Sequence, residues 1–154
     1  MTQRRLILLA TLGSAAMLLG AFGFQHPGGF APCKMCFWQR WPHGAAVLIG
    51  AVLLLGAPRL LIWAGALAAA VTSGIGAYHA GVEWRWWPGP TSCSGSGANL
   101  SSMNGSDLLS TDTPSGIVMC DEIVWQMLGL SMAGWNALIS LALVVIWLMA
   151  ARRS

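Results

Sequence analysis

Leu6-Ile7-Leu8-Leu9-Ala10-Thr11-Leu12-Gly13-Ser14-Ala15-Ala16-Met17-Leu18-Leu19-Gly20-Ala21-Phe22-Gly23-Phe24 runs for nineteen residues without a charge. A helix needs about 20 apolar residues to cross the hydrocarbon core of a bilayer. Three further stretches read the same way. Residues 37–57 give a rod of about 31 Å at about 1.5 Å per residue. Its apolar core is short, but Trp38, Arg40 and Trp41 extend it at headgroup level, where indoles and a snorkelling arginine sit well. Pro42 is tolerable near the first turn or at a kink. Residues 60–80 form the third span, with small-xxx-small spacing at Gly65/Ala69 and Ser73/Ala77 that brings helix backbones close. Residues 128–150 form the fourth.

The rest of the composition agrees. Of 154 residues, 56% are hydrophobic and only 8% are charged, against roughly 25% charged in ordinary soluble domains. A chain this size has too little interior to hide so much apolar surface in water. A soluble globule, a disordered chain and a basic nucleic-acid binder are excluded. The expected fold is an all-α membrane protein, one domain over residues 1–154. It is a four-helix transmembrane bundle with two larger loops on one side, 25–36 and 81–127. Arg4, Arg5, Arg59, Arg152 and Arg153 fall on the side of the termini, against Lys34, Arg40 and Arg85 on the other. That Lys/Arg bias makes both termini cytoplasmic and the two loops outward. Between Cys93 and Cys120 the residues turn polar and Ser/Gly-rich, a loop composition, with Asp107-Leu108-Leu109 as a candidate short interfacial helix.

All four cysteines fall in the outward loops, where disulfides persist. Four cysteines allow three pairings. Cys33 with Cys36 and Cys93 with Cys120 is preferred, because the first two are separated by only two residues. A ring that small gains little from loop closure, which favours a reversible redox couple over a staple. The second pair closes a long polar loop and alone would read as structural. A helix starting near Pro32 or Cys33 puts Cys36 in its first turn, where free amides and the helix dipole favour a thiolate. Arg40 follows four residues later on the same face and offers a fixed positive charge. His43 continues that face, at the position of an ordinary interfacial histidine.

Two rival chemistries fit less well. A four-cysteine zinc site lacks short ligand spacing in its second half, so no metal is expected. A transporter places ionisable groups deep in its spans. Here His79 sits at the outer end of the third span, and Asn136 reads as a helix–helix hydrogen bonder. The methionines are dispersed and read as packing residues. Loops this small hold no strand pattern and no nucleotide fold, so donor and acceptor are separate molecules. Cys93 and Cys120 suit a protein partner that attacks by thiol–disulfide exchange. Cys33 and Cys36, at the bilayer surface, suit a lipid-soluble two-electron acceptor. A quinone meets that description, and ubiquinone and menaquinone fit equally.

Pro32-Cys33-Lys34-Met35-Cys36-Phe37-Trp38-Gln39-Arg40 and the segment from Cys120-Asp121-Glu122 to Gly134-Trp135 resemble the DsbB family of bacterial inner-membrane disulfide-forming proteins. The likeness runs through most of the chain. It implies a quinone-dependent thiol oxidase that reoxidises a periplasmic DsbA-like thioredoxin-fold protein, acting as a monomer. Cys93 would form the mixed disulfide with the partner, and Cys120 would pass the reducing equivalents to Cys33. Cys36 would meet the quinone beside Arg40, with His79 and Glu83 near it. The His79-to-Cys93 spacing and the acid at Glu83 depart from the pattern of some members. A vitamin-K-epoxide-reductase-like protein, also four spans with two cysteine pairs, is disfavoured because this C-x-x-C lies between the first two spans. A non-catalytic scaffold with structural disulfides is the alternative outside catalysis.

Overall fold

Capping residues and apolar runs set where the helices begin and end. The structure, a computed structural model, describes residues 1–90, 93 and 119–153. Helix α1 (Gln3–Gln25) starts where the Thr2 hydroxyl accepts from the Arg5 amide at 3.4 Å. Helix α2 (Lys34–Leu54) starts behind Cys33, whose sulfur accepts from the Cys36 amide at 3.2 Å. Gly56, at φ +105°, turns the chain after α2 in a conformation that suits glycine. Helix α3 (Leu61–Glu83) follows, then a two-residue strand pair, Gln126–Met127 (β1) and Leu130–Ser131 (β2). Ser131 caps helix α4 (Met132–Arg152), its hydroxyl accepting from Gly134 N at 3.2 Å.

The helices α1, α3 and α4 are each long and apolar enough to cross a membrane. Helix α2 matches them in length but carries Lys34, Gln39, Arg40 and His43 in its first half. It continues through Pro42, beyond the first turn. In the turn before this proline the Thr72 hydroxyl of α3 donates to the Gln39 carbonyl at 3.0 Å. The four helices close into a ring in which α1 packs on α2 and α4, and α3 packs on the same two.

The ring has two different ends. Toward the chain termini, Leu6, Ile7, Ala10, Leu53, Ile62, Ala66, Ala69, Leu143, Trp147 and Ala150 form one buried apolar cluster. Trp147 is fully buried because Gly65 leaves room for it: a Cβ there would lie 2.8 Å from the indole. Overpacking of that kind costs about 1–3 kcal/mol. Gly65→Ala is therefore expected to lower stability by about that amount, read by denaturant unfolding in detergent. The small residue at this position does serve close approach, here of a tryptophan.

Three sequence expectations need correction. Strands do occur: β1 and β2 pair antiparallel, Gln126 opposite Ser131 and Met127 opposite Leu130. Leu128 (φ 54°) and Gly129 (φ 80°) make a two-residue turn between them, the kind that fits the twist of a hairpin. Residue 128 thus lies in a turn and the helix begins at Met132, because Gly129 takes a backbone conformation that breaks the apolar run. His43 is no interfacial residue, being 3% exposed. The Ser/Gly-rich stretch and Asp107-Leu108-Leu109 lie outside the described residues.

Candidate active site

The end of the ring opposite Trp147 is built around sulfur. Cys33, Met35, Cys93 and Cys120 form a buried cluster, with Cys36 packed against it. Cys93 and Cys120 are joined by a disulfide, their Cα atoms 5.3 Å apart, and Cys120 N donates to Cys93 O at 2.7 Å. The sulfurs of Cys33 and Cys36, both free thiols, lie 2.8 Å apart. One sulfur of each pair approaches the other pair: Cys33 Sγ, Cys120 Sγ and a His79 ring nitrogen all lie within 4.8 Å of one another. Metal ligation needs free thiolates, and the Cys120 sulfur is already bonded to Cys93.

The two free thiols are not equivalent. Cys36 sits in the first turn of α2, its sulfur hydrogen-bonded to that of Cys33. That bond holds the Cys36 thiol below its ordinary value, against the opposing effect of burial; Arg40 helps and Glu83 opposes. Cys33 keeps its proton for the same reason, held well above the usual thiol range by its bond to Cys36 and by burial. Only a thiolate is an effective nucleophile. Cys36 is therefore expected to be alkylated much faster than Cys33 at neutral pH, because its lowered value gives it the larger thiolate fraction. The rate should fall only as pH drops through that value. Residue-resolved mass spectrometry after iodoacetamide checks this, and equal labelling of the two would contradict it.

An apolar cavity of about 450 Å³ opens beside this pair. Its polar wall comprises Cys33, Cys36, Gln39, Arg40, His79 and Glu83, and Phe24, Trp125 and Ile139 are among its apolar lining. Its size lies within the range of small-molecule pockets, which are mostly apolar with a few placed polar groups. Arg40 turns toward α1: its guanidinium donates to Gln25 Oε1 at 2.6 Å and to Ala21 O at 3.4 Å. It lies 5.1 Å from the Phe22 ring centre and 4.9 Å from that of Phe37. Two aromatic faces and an amide thus fix a charge at the cavity wall. His79 is buried, its Nε2 3.5 Å from Cys33 Sγ and 3.9 Å from Glu83 Oε1. Glu83 also accepts from the Ser131 hydroxyl, which ties α3 to the start of α4.

The structure brings together all seven residues singled out from the sequence: Cys33, Cys36, Arg40, His79, Glu83, Cys93 and Cys120. It adds one that sequence reasoning passed over, Gln39, which bridges His79 Nδ1 at 2.9 Å and Asn136 Nδ2 at 2.7 Å. Asn136 does join helices, bonding to α2 and α3. A signal was present: Gln39 and His43 are four residues apart on one apolar helix, as are Asn136 and Ser140 on another. Polar residues repeated at that spacing inside a span mark a face turned inward.

A redox-poised cysteine pair, a disulfide beside it and an adjacent apolar cavity, carried on helices fit for a membrane, define a membrane thiol oxidoreductase. Comparison with known proteins names the group. The family described as disulfide bond formation protein DsbB matches residues 3–150, and the chain belongs to this DsbB family. It is 35% identical to disulfide bond formation protein B of Verminephrobacter eiseniae, covering 89% of this chain and 79% of that one. It is 34% identical to the protein of that name from Azoarcus sp., covering 98% and 95%. Disulfide bond formation protein B 2 of Pseudomonas aeruginosa is 35% identical over 90% of this chain and 82% of its own. No solved structure matches.

Proposed function

We propose that this protein reoxidises a DsbA-like dithiol protein in the periplasm and passes the electron pair through its two cysteine pairs to a membrane quinone. All four helices cross the bacterial inner membrane in this reading, with both termini cytoplasmic. The observation that carries it is the convergence of both cysteine pairs at the mouth of one apolar cavity walled by Arg40.

The electrons balance at each exchange. A partner thiolate attacks the Cys93–Cys120 disulfide, the partner leaves as a disulfide, and Cys93 and Cys120 are left as thiols. Cys120 lies next to Cys33. A second exchange there passes the two electrons from Cys93 and Cys120 to an oxidised Cys33–Cys36 pair, which becomes the dithiol. A quinone supplies the final sink, taking two electrons and two protons to become a quinol. The chain's own part is to hold that dithiol with its charge on Cys36, to fix a cation at the cavity wall, and to keep water away with Phe24, Trp125 and Ile139. The apolar wall suits a greasy ring, and the polar groups gathered at the sulfur end suit its oxygens. Those polar groups are Cys36, Arg40 and His79.

The test uses purified full-length protein with a reduced thioredoxin-fold partner and a short-chain ubiquinone or menaquinone, followed by quinone absorbance. One quinone reduced per partner dithiol oxidised is expected. Disulfides that resist mild dithiols and protein that leaves quinone untouched would point instead to a structural scaffold.

A further inference from the structure

Backbone carbonyls near the site decide which way its buried hydrogen bonds run. A carbonyl only accepts. Gln39 Nε2 lies 3.3 Å from Met35 O, so that atom is the amide nitrogen and it donates. The same nitrogen lies 2.9 Å from His79 Nδ1, which must then be bare. The His79 proton is left on Nε2, facing Cys33 Sγ at 3.5 Å and Glu83 Oε1 at 3.9 Å, with the Cys120 backbone carbonyl as a further acceptor. Gln39 Oε1 accepts from Asn136 Nδ2 at 2.7 Å, and Thr72 O at 3.3 Å fixes that nitrogen in turn. Asn136 Oδ1 can therefore only accept, and His43 Nε2 at 3.0 Å must donate to it. At the other end, the sulfurs of Cys33 and Cys36 lie 2.8 Å apart, and either can carry the proton between them.

We propose that His43, Asn136 and Gln39 are positioning residues: with His79 they form a one-way chain of hydrogen bonds from His43 through Asn136 and Gln39 to His79 that aims a donor at the sulfur of Cys33, and so favours a single negative charge on the Cys33/Cys36 dithiol, whose sulfurs lie 2.8 Å apart. Each donor polarises the next, strengthening it by roughly 10–30% per bond in a medium of low dielectric. The members are buried: Gln39 is 7% exposed, His43 3%, His79 2% and Asn136 6%. The chain visits α2, α4, α2 again and α3 before reaching sulfur. Asn136 touches no cysteine in this arrangement, yet it sets the proton of a histidine that does. Arg40 and Glu83 also face Cys36 from α2 and α3, and they remain unchanged in the variants below.

The chain leans on the function proposed above only for the use made of the charged sulfur. Its test therefore leaves quinone out. In wild-type protein with the Cys33/Cys36 pair reduced, nitrogen NMR of labelled histidines is expected to find His43 and His79 both protonated on Nε2 and bare on Nδ1. A proton on His79 Nδ1 would overturn the chain, and this reading needs no variant to fold. In Asn136→Leu, Cys36 alkylation at neutral pH should drop about tenfold, as its titration midpoint rises by about one pH unit, a tenfold change in thiolate. Ser73→Ala removes a neighbouring bond to Ala137 O outside the chain and should leave the rate within about twofold of wild type. Folded Asn136→Leu with an unmoved Cys36 midpoint overturns the proposal. Protein that passes these tests but never reduces quinone overturns the functional reading and leaves the chain standing.

Discussion

Cys36→Ala protein is expected to reduce quinone at less than about a thousandth of the wild-type rate, the scale of loss when a nucleophile that acts as part of a unit is removed. The reason is positional. Cys36 is the one cysteine that combines the first turn of a long helix, a hydrogen bond with a neighbouring thiol and a place in the cavity wall. No other sulfur can take over, because Cys33 loses its C-x-x-C partner and Cys93 and Cys120 are bonded to each other. The substitution removes little volume and leaves that disulfide in place, so folding should survive. Following quinone absorbance with the reduced partner measures the loss, and thiol quantification of Cys93 and Cys120 shows whether their own exchange persists. Alanine at Cys33, Cys93 or Cys120 should also stop turnover, at earlier steps. Full turnover by the Cys36→Ala protein would end this account.

Arg40→Ala should raise the apparent KM for quinone about ten- to hundredfold while leaving oxidation of the partner by Cys93 and Cys120 nearly unchanged. A hydrogen bond to a charged group is worth about 1.5–3 kcal/mol, and each 1.4 kcal/mol is a factor of about ten in affinity. The guanidinium is held by Gln25 and Ala21 of α1 and by the faces of Phe22 and Phe37. Its removal therefore costs both a charge at the cavity wall and a clasp between α1 and α2. Arg40→Lys keeps the charge but loses the planar fork, and should fall between the two. Steady-state kinetics with quinone varied at saturating partner separate the effects. A KM unchanged in Arg40→Ala would show that this arginine serves only to join helices.

The helices were legible because their signal is coarse. Runs near twenty residues with few charges have little alternative in water or lipid, and the four runs reappear as α1 to α4 with ends shifted by a few residues. The ends were harder, since they depend on single caps such as Ser131 and on a left-handed turn at Leu128 and Gly129. The cysteines were legible because chemistry leaves few other uses for a C-x-x-C beside a helix start with arginine four residues on. The side-chain partners were not. Whether His43 faces lipid, headgroups or protein depends on helix rotation, which is set by packing against Asn136 and Ser140 nearly a hundred residues away. Gln39 was overlooked because its neighbours Trp38, Arg40 and Trp41 dominate the local pattern. A bridge between His79 and Asn136 cannot be read from any one segment.

The apolar cluster at the far end of the ring sets a boundary on proton traffic. Between Leu6 and Ala150 it holds only alanine, isoleucine, leucine and tryptophan, none of which can carry a proton. In the reading proposed above, the two protons that leave a dithiol at the opposite end match the two that a quinone would take up there, and none needs to cross that cluster. On that reading the proton balance closes at the sulfur end alone, and turnover would neither draw on a transmembrane voltage nor discharge one.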